Sequence, residues 1–274
     1  MKTLLLSSLL LVSLFFTLSS CTKNDAVTPA PKTFVLVHGA WQAPYAWQSV
    51  KDQLVQQGQN VVVVELPGHG SDNTSPATLS MDIYRDKVVT AINALSGNVI
   101  LVGHSMGGMV VSAVAEKIPS RIDKLVYVGA FLPANGQSLL ALASTDSTSQ
   151  LGPALIPSAD QLTLGIKTEN LAPIFIQDGS DVVKKQVVDN YRAEPFIPFT
   201  NPVALTAANF GKVTKYYVYT AQDHAVGPNL QKRMVAAAGI KNTYTLNSSH
   251  CPFLSMPTET TTLLQTIAKE TPAQ

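Results

Sequence analysis

Ser105 sits in Gly103-His104-Ser105-Met106-Gly107, with a glycine two positions before it and another two positions after. The apolar run Val99 to Val102 reads as a short buried strand, and Met106 to Ile118 carries apolar residues at helical spacing up to Pro119. A serine at such a strand-to-helix corner is a nucleophile elbow. A strained backbone holds its hydroxyl out at the C-terminal edge of a sheet, and side chains at the flanking positions would collide with the neighbouring strand and helix. The helix behind it turns its free N–H groups and positive end towards the reacting centre. An ordinary glycine-rich turn with a solvent-facing serine is the alternative, and the strand before and helix after argue against it.

A serine hydroxyl is a weak nucleophile at neutral pH and needs a base within hydrogen-bond reach. That base should be an imidazole, oriented through its other nitrogen by a carboxylate. Asp223 follows the penultimate expected strand and His250 the last, giving the order Ser, Asp, His. Of the other four histidines, His104 lies inside the elbow, His38 belongs to the first-strand turn and is suited to brace it, His69 sits in a Gly-rich turn, and His224 adjoins Asp223 on an extended segment, where neighbours point oppositely. Glu65 ends the second strand at the correct edge but precedes the serine, and the neighbourhood of Asn135 offers no carboxylate, so Asp223 is the expected acid. The N–H groups of Met106, after the nucleophile, and Ala40, in the first-strand turn, are the expected oxyanion donors, with Gly39 permitting close approach.

The elements that must position these residues alternate strand and helix from Lys32, which predicts a parallel sheet covered on both faces. Strands are expected at 33–37, 61–64, 99–102, 125–128, 215–220 and 243–246. Helices are expected at 46–57, 80–95, 106–118, 228–238 and about 258–269, with Ser80 as an N-cap. Alternation stops between about Pro133 and Asn209, a stretch rich in Pro, Ser and Thr with no clear buried strand, in which 181–191 is the best helix. It reads as an insertion covering the site, because it lies between strands whose C-terminal ends form the active edge. Trp41, Phe131, Leu132, Phe175, Phe196 and Phe253 would serve equally as an apolar pocket or as core.

The 274 residues suit one large α/β domain or two small ones, and a net charge of +1 without any basic cluster argues against nucleic acid. No Cys/His spacing suits a metal, and the proposed chemistry calls for no cofactor. Lys2 precedes an apolar stretch from Leu4 to Leu18, which is short for a membrane span and suits a secretion signal over residues 1–20. Residues 21–31 read as a tether leading to a domain at 32–274. The only cysteines are Cys21 and Cys251, so lipidation of the first would leave no disulfide. Cys251, beside the expected base, reads as a pocket-lining or packed thiol rather than a nucleophile.

Phe34-Val35-Leu36-Val37-His38-Gly39-Ala40-Trp41, the elbow, and the Asp223 and His250 turns together resemble the α/β-hydrolase fold. More narrowly, they are similar to the plant methyl-ester esterase and hydroxynitrile lyase branch and its bacterial esterase relatives. The resemblance implies a serine carboxylic-ester hydrolase acting on small or apolar esters, with about six strands flanked by helices and a cap inserted at about 133–209. A substrate pocket is expected near Gly39, Trp41, Phe131, Leu132, Cys251 and Phe253. Lyase members of the branch carry a lysine after the catalytic histidine and a threonine in the first-strand turn, where this chain has Cys251 and Gly39. A dehalogenase or epoxide hydrolase would need Asp in place of Ser105, whereas a binding protein that retains the triad remains an alternative. Leu18-Ser19-Ser20-Cys21 resembles the lipobox of bacterial lipoproteins, which implies a lipid on Cys21 and an exported protein anchored to a membrane facing the periplasm or cell exterior. A plain signal peptide cut nearby is the alternative.

Overall fold

Runs of Val, Ile, Leu and Phe with no polar face suit strands covered on both sides, and such runs build most of the central sheet, with Asn242–Leu246 at its edge alternating polar and larger residues instead. The computed structural model describes residues 30–271, so the expected signal segment 1–20 and Cys21 lie outside the described residues. β1 (Thr33–Val37) is followed by α1 (Gln48–Gln56), β2 (Asn60–Val64), α2 (Met81–Asn93), β3 (Val99–His104), α3 (Gly107–Lys117) and β4 (Ile122–Val128). The Ser80 side chain accepts from the Ile83 N–H at 3.3 Å and caps α2 as expected. β4 begins three residues earlier than its apolar run suggests because Lys124 is buried in it. The Lys124 Nζ donates to the carbonyl oxygens of Ile267, Ala268 and Glu270, at the far end of the chain.

Between β4 and the next core strand lies the insertion, and it departs from expectation. It holds α4 (Leu139–Ala143), α5 (Leu151–Ala154), β5 (Leu155–Pro157), β6 (Thr163–Ile166), α6 (Thr168–Phe175), α7 (Asp181–Asp189), β7 (Glu194–Pro195) and α8 (Ile197–Thr200). The three strands pair antiparallel in the order β5-β6-β7, and where no clear buried strand was expected β7 is buried and β6 is buried at alternate residues. None exceeds four residues, too short to show a period of two, and two of them contain proline. α6 likewise carries Pro173 within it.

The core resumes with β8 (Lys215–Thr220), α9 (Pro228–Ala238), β9 (Asn242–Leu246), α10 (Pro252–Ser255) and α11 (Pro257–Lys269). The order across the main sheet is β2-β1-β3-β4-β8-β9, and every pairing is parallel. β3 is in the middle and buried along its whole length, so the turn after it sits at the centre of the sheet's C-terminal edge. The turns after β1, β8 and β9 open onto that same edge. From Pro31 onward the chain forms one compact unit, cap included.

Candidate active site

Ser105 takes a left-handed backbone, φ 52°, between β3 and α3. A β-carbon on Gly107 would lie 2.9 Å from the carbonyl oxygens of both Val37 and His38, so α3 can approach β1 this closely only with glycine there. The Ser105 side chain looks into a cavity of about 330 Å³. Among the described residues, neither the Ala40 nor the Met106 amide donates to any protein group, and both residues line the same cavity.

Asp223 follows β8 and is buried. Its Oδ1 accepts the main-chain N–H groups of Ala225 and Val226, both at 2.8 Å. Its Oδ2 accepts from the Thr220 hydroxyl at 2.6 Å, from the Gln231 amide at 3.2 Å and from His250 Nδ1 at 2.8 Å. Since a carboxylate only accepts, Nδ1 of His250 carries a proton and Nε2 is the nitrogen left to act as a base. His250 follows β9, as the chain order implies, and is 1% exposed.

His104, next to the serine, braces the imidazole from below. Its Nε2 donates to the His250 carbonyl oxygen at 2.9 Å, and the two rings pack at 4.4 Å. Burial, followed by the nearby His250, holds the His104 pKa well below the usual histidine range, so this ring is neutral. His224 turns away to Pro173 O, with its Nδ1 at 2.9 Å from that atom.

The apolar cavity wall contains Trp41 and Phe131, but the other expected pocket residues lie elsewhere. Leu132 lines a separate cavity of about 410 Å³. Phe253 is fully buried against Trp47 and His104, with ring centroids at 4.2 and 4.6 Å. Cys251 is buried with its Sγ against the Gln42 amide, and burial pushes its thiol pKa well up, so it is a packed thiol and not a nucleophile. Gly39 packs directly beneath the serine: a β-carbon there would lie 2.8 Å from Ser105 Cβ and 2.8 Å from His104 Nδ1. Leu132, Cys251 and Phe253 thus lie off this cavity, and the cap supplies much of its wall, including Leu139, Leu140, Leu155, Leu164 and Phe199. These leucines escaped the sequence reading, which weighted aromatic residues and had no cap fold to place them on.

One more buried group, Glu194, is not singled out by the sequence. Glu194, on β7, accepts the Trp41 N–H at 2.8 Å and lies 2.9 Å from His69 Nε2. Glu194 is flanked by no periodic pattern that would single it out. Among the described residues, no group of three His, Cys, Asp or Glu side chains is placed to hold a metal ion, and no helix is long and apolar enough to cross a membrane.

A model described as the alpha/beta hydrolase family matches residues 34–262. A chloroplastic protein of Arabidopsis thaliana that carries a methylesterase name is 31% identical over 256 residues, covering 88% of this chain; the chain spans 65% of that relative, just under two thirds of its length. The carbendazim hydrolyzing esterase of Nocardioides sp. (strain SG-4G) is 31% identical over 192 residues, covering 69% of this chain and 79% of its own. Among solved structures, tomato methylketone synthase I complexed with 2-tridecanone superposes with a TM-score of 0.80 at 20% identity, covering 87% of this chain and 98% of its own, a likeness of fold.

Proposed function

Because this chain belongs to the alpha/beta hydrolase family, we propose that it is a carboxylic-ester hydrolase working through Ser105, His250 and Asp223 on small or apolar esters. The observation that carries this reading is the convergence at one sheet edge of a serine in left-handed backbone, two amides without protein partners, and an imidazole whose Nδ1 is held by a buried carboxylate. The relatives named as methylesterases and esterases support the same reaction class.

In this mechanism Ser105 Oγ attacks the ester carbonyl carbon while its proton passes to His250 Nε2. The carbonyl oxygen becomes an oxyanion, stabilised by the N–H groups of Ala40 and Met106 at the cavity wall. The tetrahedral centre collapses, the C–O bond to the alcohol breaks, and His250 returns its proton to the departing oxygen. Water then gives a proton to His250 and attacks the acyl-enzyme, and the carboxylic acid leaves as Ser105 regains its proton. The cavity of about 330 Å³, walled by Trp41, Phe131, Leu164 and Phe199, favours uncharged apolar groups on either side of the ester.

A cyanohydrin lyase is disfavoured at both positions where the branch differs. A threonine at Gly39 would drive its β-carbon into Ser105, and the residue after His250 is the buried Cys251 rather than a lysine. The test is hydrolysis of p-nitrophenyl butyrate by the wild type beside Ser105→Ala, with a fluorophosphonate label read by mass spectrometry. Turnover and labelling that vanish together in the variant are the expected result. Wild-type rates in Ser105→Ala would overturn the assignment of the nucleophile. A wild type that stays silent in both assays would overturn the enzyme reading in favour of a binding protein.

The same reading extends to the start of the chain. Residues 1–20 act as a secretion signal, and Cys21 becomes the first mature residue and carries a lipid, anchoring the enzyme to a membrane facing the periplasm or cell exterior. Leu18-Ser19-Ser20-Cys21 supports this. Incorporation of an alkyne-tagged palmitate should be lost in Cys21→Ser; equal labelling of both proteins, or of neither, would refute it.

A further inference from the structure

Glu194 has no exposure at all, and the cap carries it into the core. A carboxylate in such a place is strongly disfavoured unless it is paired and hydrogen-bonded. Both groups that reach its Oε2 come from outside the cap: the Trp41 N–H at 2.8 Å and His69 Nε2 at 2.9 Å. His69 Nδ1 faces the Pro67 carbonyl oxygen at 3.1 Å. A carbonyl and a carboxylate can only accept, so both ring nitrogens donate and His69 is an imidazolium. Burial by itself would depress its pKa, but the adjoining carboxylate outweighs burial and raises it.

The pair acts on the turn that follows β1. His38 Nδ1 donates at 2.9 Å to the Gly39 carbonyl oxygen, which belongs to the same peptide as the Ala40 N–H. In a trans peptide those two groups point in opposite directions, so holding one aims the other. The next peptide, from Ala40 to Trp41, is held through the Trp41 N–H by Glu194. Trp41 stands at φ 58°, a left-handed conformation that a bulky residue keeps only where its surroundings impose it. Its ring is tied to the cap as well, with Nε1 donating to Leu164 O at 2.9 Å. The rings of His38 and His69 pack at 4.9 Å, which joins the two supports into one buried unit.

Building on the ester-hydrolase reading above, we propose that Glu194 is a positioning residue, a carboxylate on the cap that, held by His69, fixes the Ala40–Trp41 peptide and so aims the Ala40 N–H at the oxyanion. Glu194 does not line the substrate cavity and acts only through Trp41. The cap in this role completes the oxyanion site as well as walling the substrate.

The experiment compares two variants of the full protein on p-nitrophenyl butyrate, with Ser105→Ala as the control and thermal melts to confirm folding. The double replacement Glu194→Met, His69→Leu removes the acceptor while leaving no buried charge, an exchange that proteins often tolerate. Its kcat should fall about 100-fold with KM nearly unchanged, because the lost aim matters only once the oxyanion forms. Glu194→Gln keeps a carbonyl oxygen for the Trp41 N–H and should retain kcat within about fivefold of wild type. If the double variant melts below the assay temperature, His69→Gln replaces it, with about a tenfold loss in kcat expected from the loosened carboxylate. A folded double variant (or His69→Gln) with wild-type kcat overturns the proposal, as does a loss confined to KM or a Glu194→Gln as slow as the double variant. If the wild type itself neither turns over ester nor takes the fluorophosphonate, the ester-hydrolase reading fails and this one falls with it. An active wild type beside a folded double variant (or His69→Gln) of unaltered kcat overturns this one alone.

Discussion

The Asp223 carboxylate meets His250 Nδ1 at 2.8 Å with the oxygen that the main chain leaves free. Its other oxygen is fully engaged by the Ala225 and Val226 N–H groups. The division of labour has a consequence for Asp223→Asn. Those two main-chain donors can be satisfied only by the asparagine's oxygen, so its NH2 group is forced to face His250. The imidazole must then place its proton on Nε2, where it can no longer accept from Ser105. We expect kcat to fall about 10⁴-fold with the fold retained, since a triad with the wrong tautomer loses roughly that much. A melting curve beside a rate measurement checks both halves, and a near-wild-type rate would remove Asp223 from the mechanism.

Gly39 is a second point where geometry makes a sharp demand. A β-carbon there lies under 3 Å from both Ser105 Cβ and His104 Nδ1, so something must shift. Gly39→Thr should cost about 100-fold or more in ester turnover through displacement of the serine. It should not confer cyanohydrin cleavage. An assay of released cyanide alongside ester hydrolysis tests this, and detectable lyase activity would revive the rival chemistry.

Acid should unfold this protein through its buried neutral histidines. Burial, followed by the charge on His69, lowers the His38 pKa to about 3, and His104 is lowered for like reasons by burial and His250. Between about pH 3 and the unfolded value of 6.5, the unfolded chain binds protons at these sites that the folded chain does not. Stability therefore falls as pH drops through that window, by about 1.4 kcal/mol per pH unit for each proton taken up. His69 has the opposite sign: its pKa is raised, so its contribution is fully present below 6.5 and is lost as pH rises through the folded value. Denaturant midpoints across pH should show a shallower acid slope for His38→Gln than for wild type. His69→Gln should instead remove a loss of stability on the alkaline side. Unchanged slopes in both would refute the protonation states assigned here.

Lys124 gives a stability prediction separate from catalysis. Its ammonium group joins β4 to the C-terminal carbonyls of α11, where a positive charge also suits the helix dipole. Lys124→Met keeps the aliphatic stem but leaves those carbonyls short of donors. A loss of about 2–3 kcal/mol is expected, the scale of hydrogen bonds to a charged group. Calorimetry should record a lower Tm with kcat unaltered.

Most of the main sheet was legible before folding because most of its strands centre on continuous apolar runs, and Ser80, Pro119 and Gly239 mark helix boundaries. Lys124 marks where that reading fails: a lysine looks like the end of a buried strand until the helix end it serves is brought beside it, 143 positions away in the chain. The cap was opaque for a related reason. Its strands of three, four and two residues carry no readable period and exist only through pairing with one another.

By itself, then, the order of residues determined the parallel sheet and the elbow around Ser105, together with the expectation that Asp223 and His250 come after the last two strands. Each follows from patterns within a few residues and from the rule that loops after parallel strands share one edge. Tertiary structure alone decided that Leu132, Cys251 and Phe253 lie off the cavity lined by Ser105, and that leucines of the cap line it. It also decided that Glu194 meets His69 across 125 positions. The physical reason is one of range. Local patterning reports whether a side chain is buried, but its partners are chosen by packing between elements that meet only in the folded protein.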